Sequence, residues 1–245
     1  MDKLAVLRQY FGFPAFRAGQ QTLIDAVLSG RDALGVMPTG GGKSLCYELP
    51  ALLLPGMTLV VSPLISLMKD QVMALRNAGI PAGCINSSMS LDELRETYRD
   101  ARYGAYKLLY VAPERLLTDG FCSLAQELEI PLVAVDEAHC ISQWGQDFRP
   151  SYLKIVEFLQ RLPRRPAVAA FTATATAQVR ADIIRILQLH EPETVVTGFD
   201  RPNLRFEVLR PKDKRTALLQ LLSERRDKSG IVYCATRKTV EQVCG

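Results

Sequence analysis

Three glycines, a lysine and a hydroxyl stand together in Met37-Pro38-Thr39-Gly40-Gly41-Gly42-Lys43-Ser44. Glycines let backbone N–H groups close around phosphate oxygens, and a helix opening here adds the positive end of its dipole. Lys43 is then placed to reach β and γ phosphates, and Ser44 to ligand Mg²⁺. The strict spacing GxxxxGK[ST] fails at its first position, which is Met37. A second segment, Leu132-Val133-Ala134-Val135-Asp136-Glu137-Ala138-His139, is an apolar run that ends in two acids and a histidine. Mg²⁺ keeps several waters and takes few carboxylates, which suits Asp136. Glu137 is then free to orient and deprotonate an attacking water. A glycine-rich turn and an acidic loop start are each common alone; their combination points to water attacking a bound phosphoryl group.

Both segments need a scaffold. Short apolar runs at 33–37, 57–61, 82–85, 107–111, 132–136, 167–171 and 194–197 read as strands. Most are apolar on both faces, as expected when helices cover both sides of a parallel sheet. Residues 17–29, 43–53, 65–78, 91–101, 151–160 and 176–188 read as helices. The alternation predicts an α/β fold, a doubly wound domain over roughly residues 15–199, with ligands at the carboxyl ends of its strands. A junction follows at Gly198-Phe199-Asp200-Arg201-Pro202-Asn203. Beyond it a strand is expected at 206–209, a helix at 213–226, a strand at 231–234 and a helix from Thr236. A stretch of about 40 residues cannot bury a core of its own. The expected organisation is therefore a first domain over 1–199, a linker over 200–205 and the truncated start of a second domain over 206–245.

Composition narrows the classes. With 245 residues, 48% hydrophobic and 23% charged, the chain is globular and not disordered. The net charge of +4 is too mild to indicate a nucleic-acid partner. Its distribution says more: residues 1–199 hold 19 basic and 20 acidic side chains, a net of −1, and residues 200–245 hold 11 and 6, a net of +5. That basic stretch suits either a solvated face or a polyanion. The six cysteines form no CxxC, and His139 and His190 have no ligand spacing, so neither a zinc site nor a disulfide scaffold is expected. Scattered cysteines fit a reducing compartment. The amino terminus has no signal-peptide pattern. Residues 49–68 are free of charge, but Pro50, Pro55 and Pro63 cut the run, so no membrane span is expected.

MPTGGGKS combined with DEAH resembles the superfamily-two helicases, and DEAHCISQWGQDFRP at 136–150 resembles their RecQ subgroup. VVSPLISLMKDQV at 60–72, YVAPERL at 110–116 and GFDRPNL at 198–204 are similar to the same family, and the likeness runs from about Leu7 to the end. It implies a RecA-like P-loop domain and the start of a second one. It implies an ATP-dependent 3′–5′ DNA helicase core that uses ATP and Mg²⁺ and acts on single-stranded and branched DNA. The expected location is the cytoplasm, at the nucleoid in a bacterium, or the nucleus in a eukaryote.

Carried onto this sequence, the resemblance assigns Phe13, Arg17 and Gln20 to the adenine, beside the phosphate loop Thr39–Ser44. The Gln20 amide suits an adenine edge. Phe13 suits either stacking or core packing, and Phe16 suits core packing. Ser62, Pro63, Leu64 and Lys69, with Pro113, Glu114 and Arg115, match motifs that touch single-stranded DNA; helix capping is the bland alternative. His139, Thr172 and Thr174 match the elements that couple ATP state to movement, and Thr174 or Thr176 could also cap a helix. In the loop after the acids, Ser142, Gln143, Trp144, Phe148 and Arg149 match a DNA-sensing element. Aromatic faces stack on bases for about 1–3 kcal/mol each; the alternative for Trp144 and Phe148 is core packing. Arg149 suits a phosphate or an acid of the nucleotide site.

The family's second domain supplies arginines in a motif like QxxGRxGR, and the chain contains none. Its zinc-binding cysteine cluster, winged helix and accessory domain have no counterpart in these residues either. The expectation is a piece of a longer helicase that binds Mg·ATP loosely and DNA weakly, turns over little and does not unwind alone. The alternative is a degenerate, non-catalytic ATP- and DNA-binding module.

Overall fold

A computed structural model describes residues 2–145, 147–198 and 204–244. The chain divides into two compact units, 1–199 and 200–245.

The first unit is built on seven parallel strands in the order β3-β4-β2-β5-β6-β1-β7. They are β1 (Ala33–Val36), β2 (Thr58–Val61), β3 (Ala82–Ile85), β4 (Leu108–Val111), β5 (Leu132–Val135), β6 (Ala167–Thr172) and β7 (Glu193–Val196). Five of them are buried along their whole length. At the edge, β7 alternates half-buried and exposed residues. Because successive side chains point to opposite faces, each inner strand feeds two cores. Leu34, Leu59, Leu109 and Val133 pack on one face against α5 (Leu91–Arg102), α6 (Asp119–Glu127), α7 (Lys154–Arg161) and α8 (Ala177–Ile186). Ala33, Val60, Tyr110 and Ala134 pack on the other against α2 (Gln20–Leu28), α3 (Leu45–Leu53) and α4 (Ile65–Asn77). This is the α/β, doubly wound, all-parallel architecture expected from the apolar runs. Among the described residues no helix is long and apolar enough to cross a membrane.

Two helices of this unit were not expected. In α1 (Lys3–Phe11), Val6 and Leu7 pack with Ile24, Leu45 and Leu49, and Gly12 ends the helix with a left-handed φ of 70°. In α6, Phe121, Leu124 and Ala125 form the inward stripe, behind a Gly120 that weakens the local helix signal.

The second unit holds α9 (Lys214–Glu224), capped by the Asp213 carboxylate on Arg215 N, and α10 (Arg237–Cys244). The strands expected at 206–209 and 231–234 do not form. Phe206, Val208, Ile231 and Tyr233 are at least 80% exposed. An apolar run becomes a strand only where a neighbour takes up its N–H and C=O groups, and among the described residues none does. Asp200–Asn203, most of the expected linker, lie outside the described residues.

Candidate active site

The phosphate loop leaves β1 and enters α3. Its glycine at 42 is required twice over: φ is +83°, and a Cβ there would lie 2.2 Å from Gln20 Nε2. Neighbouring β6 ends at Thr172 and β5 leads into Asp136. Backbone bonds hold these ends level: Met37 N donates to Thr172 O at 3.0 Å, and Asp136 N donates to Val61 O at 2.9 Å. The result is one cavity of about 420 Å³ lined by Phe13, Arg17 and Gln20, by Thr39, Gly40, Gly42, Lys43 and Ser44, and by Asp136 and Glu137.

Within it, Lys43 Nζ donates to Met37 O at 3.3 Å. Gln20 is buried and bridges two segments: Oε1 accepts from Arg17 N at 2.8 Å, and Nε2 donates to Gly42 O at 3.1 Å. One amide hydrogen and one lone pair remain for a base edge. The Arg17 guanidinium also donates to Gly40 O and lies 5.8 Å from the centre of the Phe13 ring. Phe13 is 45% exposed on the cavity wall, whereas Phe16 packs against the α1–α3 core.

The acids sit on a strained turn. Glu137 has φ 47° and ψ 44°, a left-handed conformation that is costly for a side-chain-bearing residue. Asp136 Oδ1 accepts from Glu137 N at 3.0 Å, and Tyr152 Oη donates to Asp136 O at 2.8 Å. Burial, and then the Glu137 charge, push the Asp136 carboxyl up to about 6. His139 has the opposite effect on Glu137: their contact, Nδ1 to Oε2 at 3.2 Å, holds that carboxyl below its usual range. Cys140 and Glu137 in turn push His139 up to about 10. His139 Nδ1 also lies in hydrogen-bond contact with Thr172 Oγ1 at 2.8 Å. Thr172 Oγ1 donates onward to Thr174 O at 3.2 Å. The three residues assigned to coupling thus form one chain. Of the two capping candidates, Thr176 is the cap: its hydroxyl accepts from Val179 N at the start of α8.

Gln71 on α4 was not anticipated. Its Nε2 donates to Ser44 Oγ at 3.4 Å, while Oε1 is buried with no partner among the described residues. The signal was faint: one amide beside the apolar face Met68, Val72 and Leu75. An orphaned acceptor beside Ser44 and Asp136, in the same cavity, is a donor set suited to a hydrated Mg²⁺.

The residues matched to DNA contacts separate by exposure. Lys69, Glu114, Gln143 and Trp144 are exposed; Leu64 is 43% and Trp144 74% exposed. Pro63, Arg115, Phe148 and Arg149 are half-buried. Ser62, Pro113 and Ser142 are buried, so their side chains face the protein. Ser62 caps nothing, and its hydroxyl is unpartnered. Pro113 opens a short 3-10 turn, Pro113–Arg115. Arg149 pairs with Asp147 at 2.7 Å and donates to Pro63 O at 3.1 Å. The loop lies directly on the turn that carries the acids, since a Cβ on Gly145 would meet His139 O at 2.3 Å.

The profile of the DEAD/DEAH box helicases matches residues 17–183. The chain belongs to that family. Among its helicase relatives, the ATP-dependent DNA helicase RecQ of Bacillus subtilis is 48% identical over 98% of this chain, and that of Pasteurella multocida 45% identical over 98%. The resemblance to the RecQ subgroup is therefore borne out. The chain spans 41% and 38% of those two relatives. Two solved structures share the fold: the DUF1998 helicase MrfA, with a TM-score of 0.76 at 18% identity over 98% of this chain and 39% of that one, and MrfA bound to DNA and AMPPNP, with 0.75 at 17% over 99% and 37%.

Proposed function

We propose that this chain is the nucleotide-binding part of a RecQ-type, ATP-dependent 3′–5′ DNA helicase. The carrying observation is the single cavity that Lys43, Ser44, Asp136 and Glu137 line together with Phe13, Arg17 and Gln20. Gly40–Ser44 cradle the phosphates, and Lys43 leaves Met37 O for the β and γ oxygens. Ser44 and Asp136 would hold Mg²⁺, and Gln71, which donates to Ser44 Oγ, would support them. When bound, the metal neutralises charge that develops on the phosphoryl oxygens. Glu137, ionised at neutral pH, takes the proton of the attacking water. The His139–Thr172–Thr174 chain passes the state of that site to the turn leading into α8. The exposed Trp144, with Gln143 and half-buried Phe148, meets single-stranded DNA, while Lys69 and Arg115 meet its phosphates. Branched DNA is the substrate of the whole enzyme.

An arginine finger contributes about 10³–10⁵ in rate, and the chain holds no motif of that kind. Its own turnover is therefore slow. The test is ATP hydrolysis by this chain with and without oligo-dT. Glu137→Gln should retain Mg·ATP binding and lose the residual turnover. Turnover equal to wild type would remove Glu137 as the base. Unaided unwinding of a duplex would refute the need for added arginines.

A further inference from the structure

The loop after the catalytic acids is anchored to α8 by a short relay. Ser142 Oγ donates to Asp182 Oδ2 at 2.8 Å, and both side chains are buried. The same Ser142 Oγ accepts the Trp144 backbone N–H at 3.2 Å. The other oxygen, Asp182 Oδ1, accepts from Arg185 at 2.8 Å. Arg185, and then Ser142, hold the Asp182 carboxyl below its usual range. A hydroxyl bonded to an ionised acceptor is a strong, directional anchor. The indole it supports is largely exposed, on the rim of a cavity of about 400 Å³ that also touches Phe148, Gln178 and Asp182. The ring has little of its own to fix it. Its backbone is set by a hydroxyl, and the direction of that hydroxyl is set by Asp182.

The position of α8 makes this more than a local brace. The helix begins at Ala177, five residues after Thr172, which touches His139. Ser142 lies three residues after His139. Both chain segments that leave the His139–Thr172 contact are thus tied together again at Ser142–Asp182. The ring so formed joins the catalytic acids, the end of β6, α8 and the loop.

We infer that Asp182 is a positioning residue: through Ser142 it sets the backbone of Trp144 and with it the presentation of the indole to single-stranded DNA. This rests on Trp144 being a DNA contact, and the experiment separates the two claims. Trp144 is the only tryptophan, so its emission reports the loop without a label. Two quantities are measured on the 245-residue chain: Trp144 anisotropy without DNA, and the emission change on titration with oligo-dT. Asp182→Ala and Ser142→Ala should each lower the anisotropy and weaken oligo-dT binding roughly tenfold, the loss expected for a hydrogen bond to a charged group. The double variant should be no worse than either single one. Asp182→Asn, whose amide oxygen still accepts from Ser142, should recover most of the loss. Arg185→Ala leaves the Ser142 contact in place and should stay near wild type. Affinity for a fluorescent ATP analogue should be unchanged in Asp182→Ala and Arg185→Ala, which a general loss of fold would not permit. Wild-type anisotropy and affinity in both Asp182→Ala and Ser142→Ala would overturn the inference. Wild-type emission indifferent to oligo-dT would sink the DNA contact instead, and anisotropy alone would then decide the positioning role.

Discussion

Asp136 is held at the expense of the fold that holds it. Its carboxyl stands at about 6, raised by burial and by Glu137 from an ordinary 3.8. A group raised in this way favours the folded state below its unfolded value, and the benefit is lost as pH rises through 6. Asp136→Asn removes the charge. Its melting temperature should exceed wild type by a few degrees at pH 8, with the gap closing near pH 4. A gap that widens toward acid would reverse the sign and contradict the burial argument. If the same group ligands Mg²⁺ as proposed, Mg²⁺-dependent nucleotide affinity should fall as pH drops through 6, because a protonated carboxyl is a poor metal ligand. Gln71 gives a second residue-scale prediction. Loss of a group supporting metal ligands commonly costs 10–100-fold in affinity, and Gln71→Ala should cost roughly tenfold with Mg²⁺ present. Binding in EDTA should not change; an equal loss in both conditions would make Gln71 a packing residue.

At the scale of elements, α8 carries both the Thr176 cap and the Asp182 anchor. Thr176→Ala removes the hydroxyl that accepts from Val179 N at 3.3 Å. It should lower stability to urea by about 1 kcal/mol, and an unchanged midpoint would show that the cap contributes nothing. The central strands were legible because burial on both faces forces apolar residues at every position, as in Leu132–Val135. The helix at 119–127 was hidden by Gly120, and the one at 3–11 by a sequence whose inward residues, Val6 and Leu7, make only a narrow stripe. The runs at 206–209 and 231–234 failed for the converse reason: a pattern of apolar residues states a preference, and pairing needs a partner strand. In the site, the meeting of Lys43, Asp136 and Glu137 in one cavity was legible because phosphate chemistry restricts both residue type and spacing. Gln71 and Asp182 were not, because each acts through a contact between distant segments. The Arg149 contact with Pro63 O, across 86 positions, was hidden in the same way.

For the whole molecule, charge does not announce the partner. The first 199 residues have a net of −1, yet the aromatic loop and the residues matched to DNA contacts all lie there. Binding should therefore rest on a few placed contacts together with stacking. Oligo-dT affinity should fall with added salt, with a logarithmic slope of about −0.7 per phosphate engaged. A slope near zero would leave stacking alone. The matched helicase relatives are more than twice as long as this chain, and the proposed function asks of these residues first that they capture the nucleotide. Equilibrium binding of a fluorescent ATP analogue in Mg²⁺, by wild type and by Lys43→Ala with its fold verified by circular dichroism, tests this most directly. Wild type should bind saturably, and Lys43→Ala, having lost a charge-assisted contact to phosphate, at least about tenfold more weakly. Equal affinity in the two proteins would place the nucleotide away from Lys43 and remove the phosphate-loop assignment.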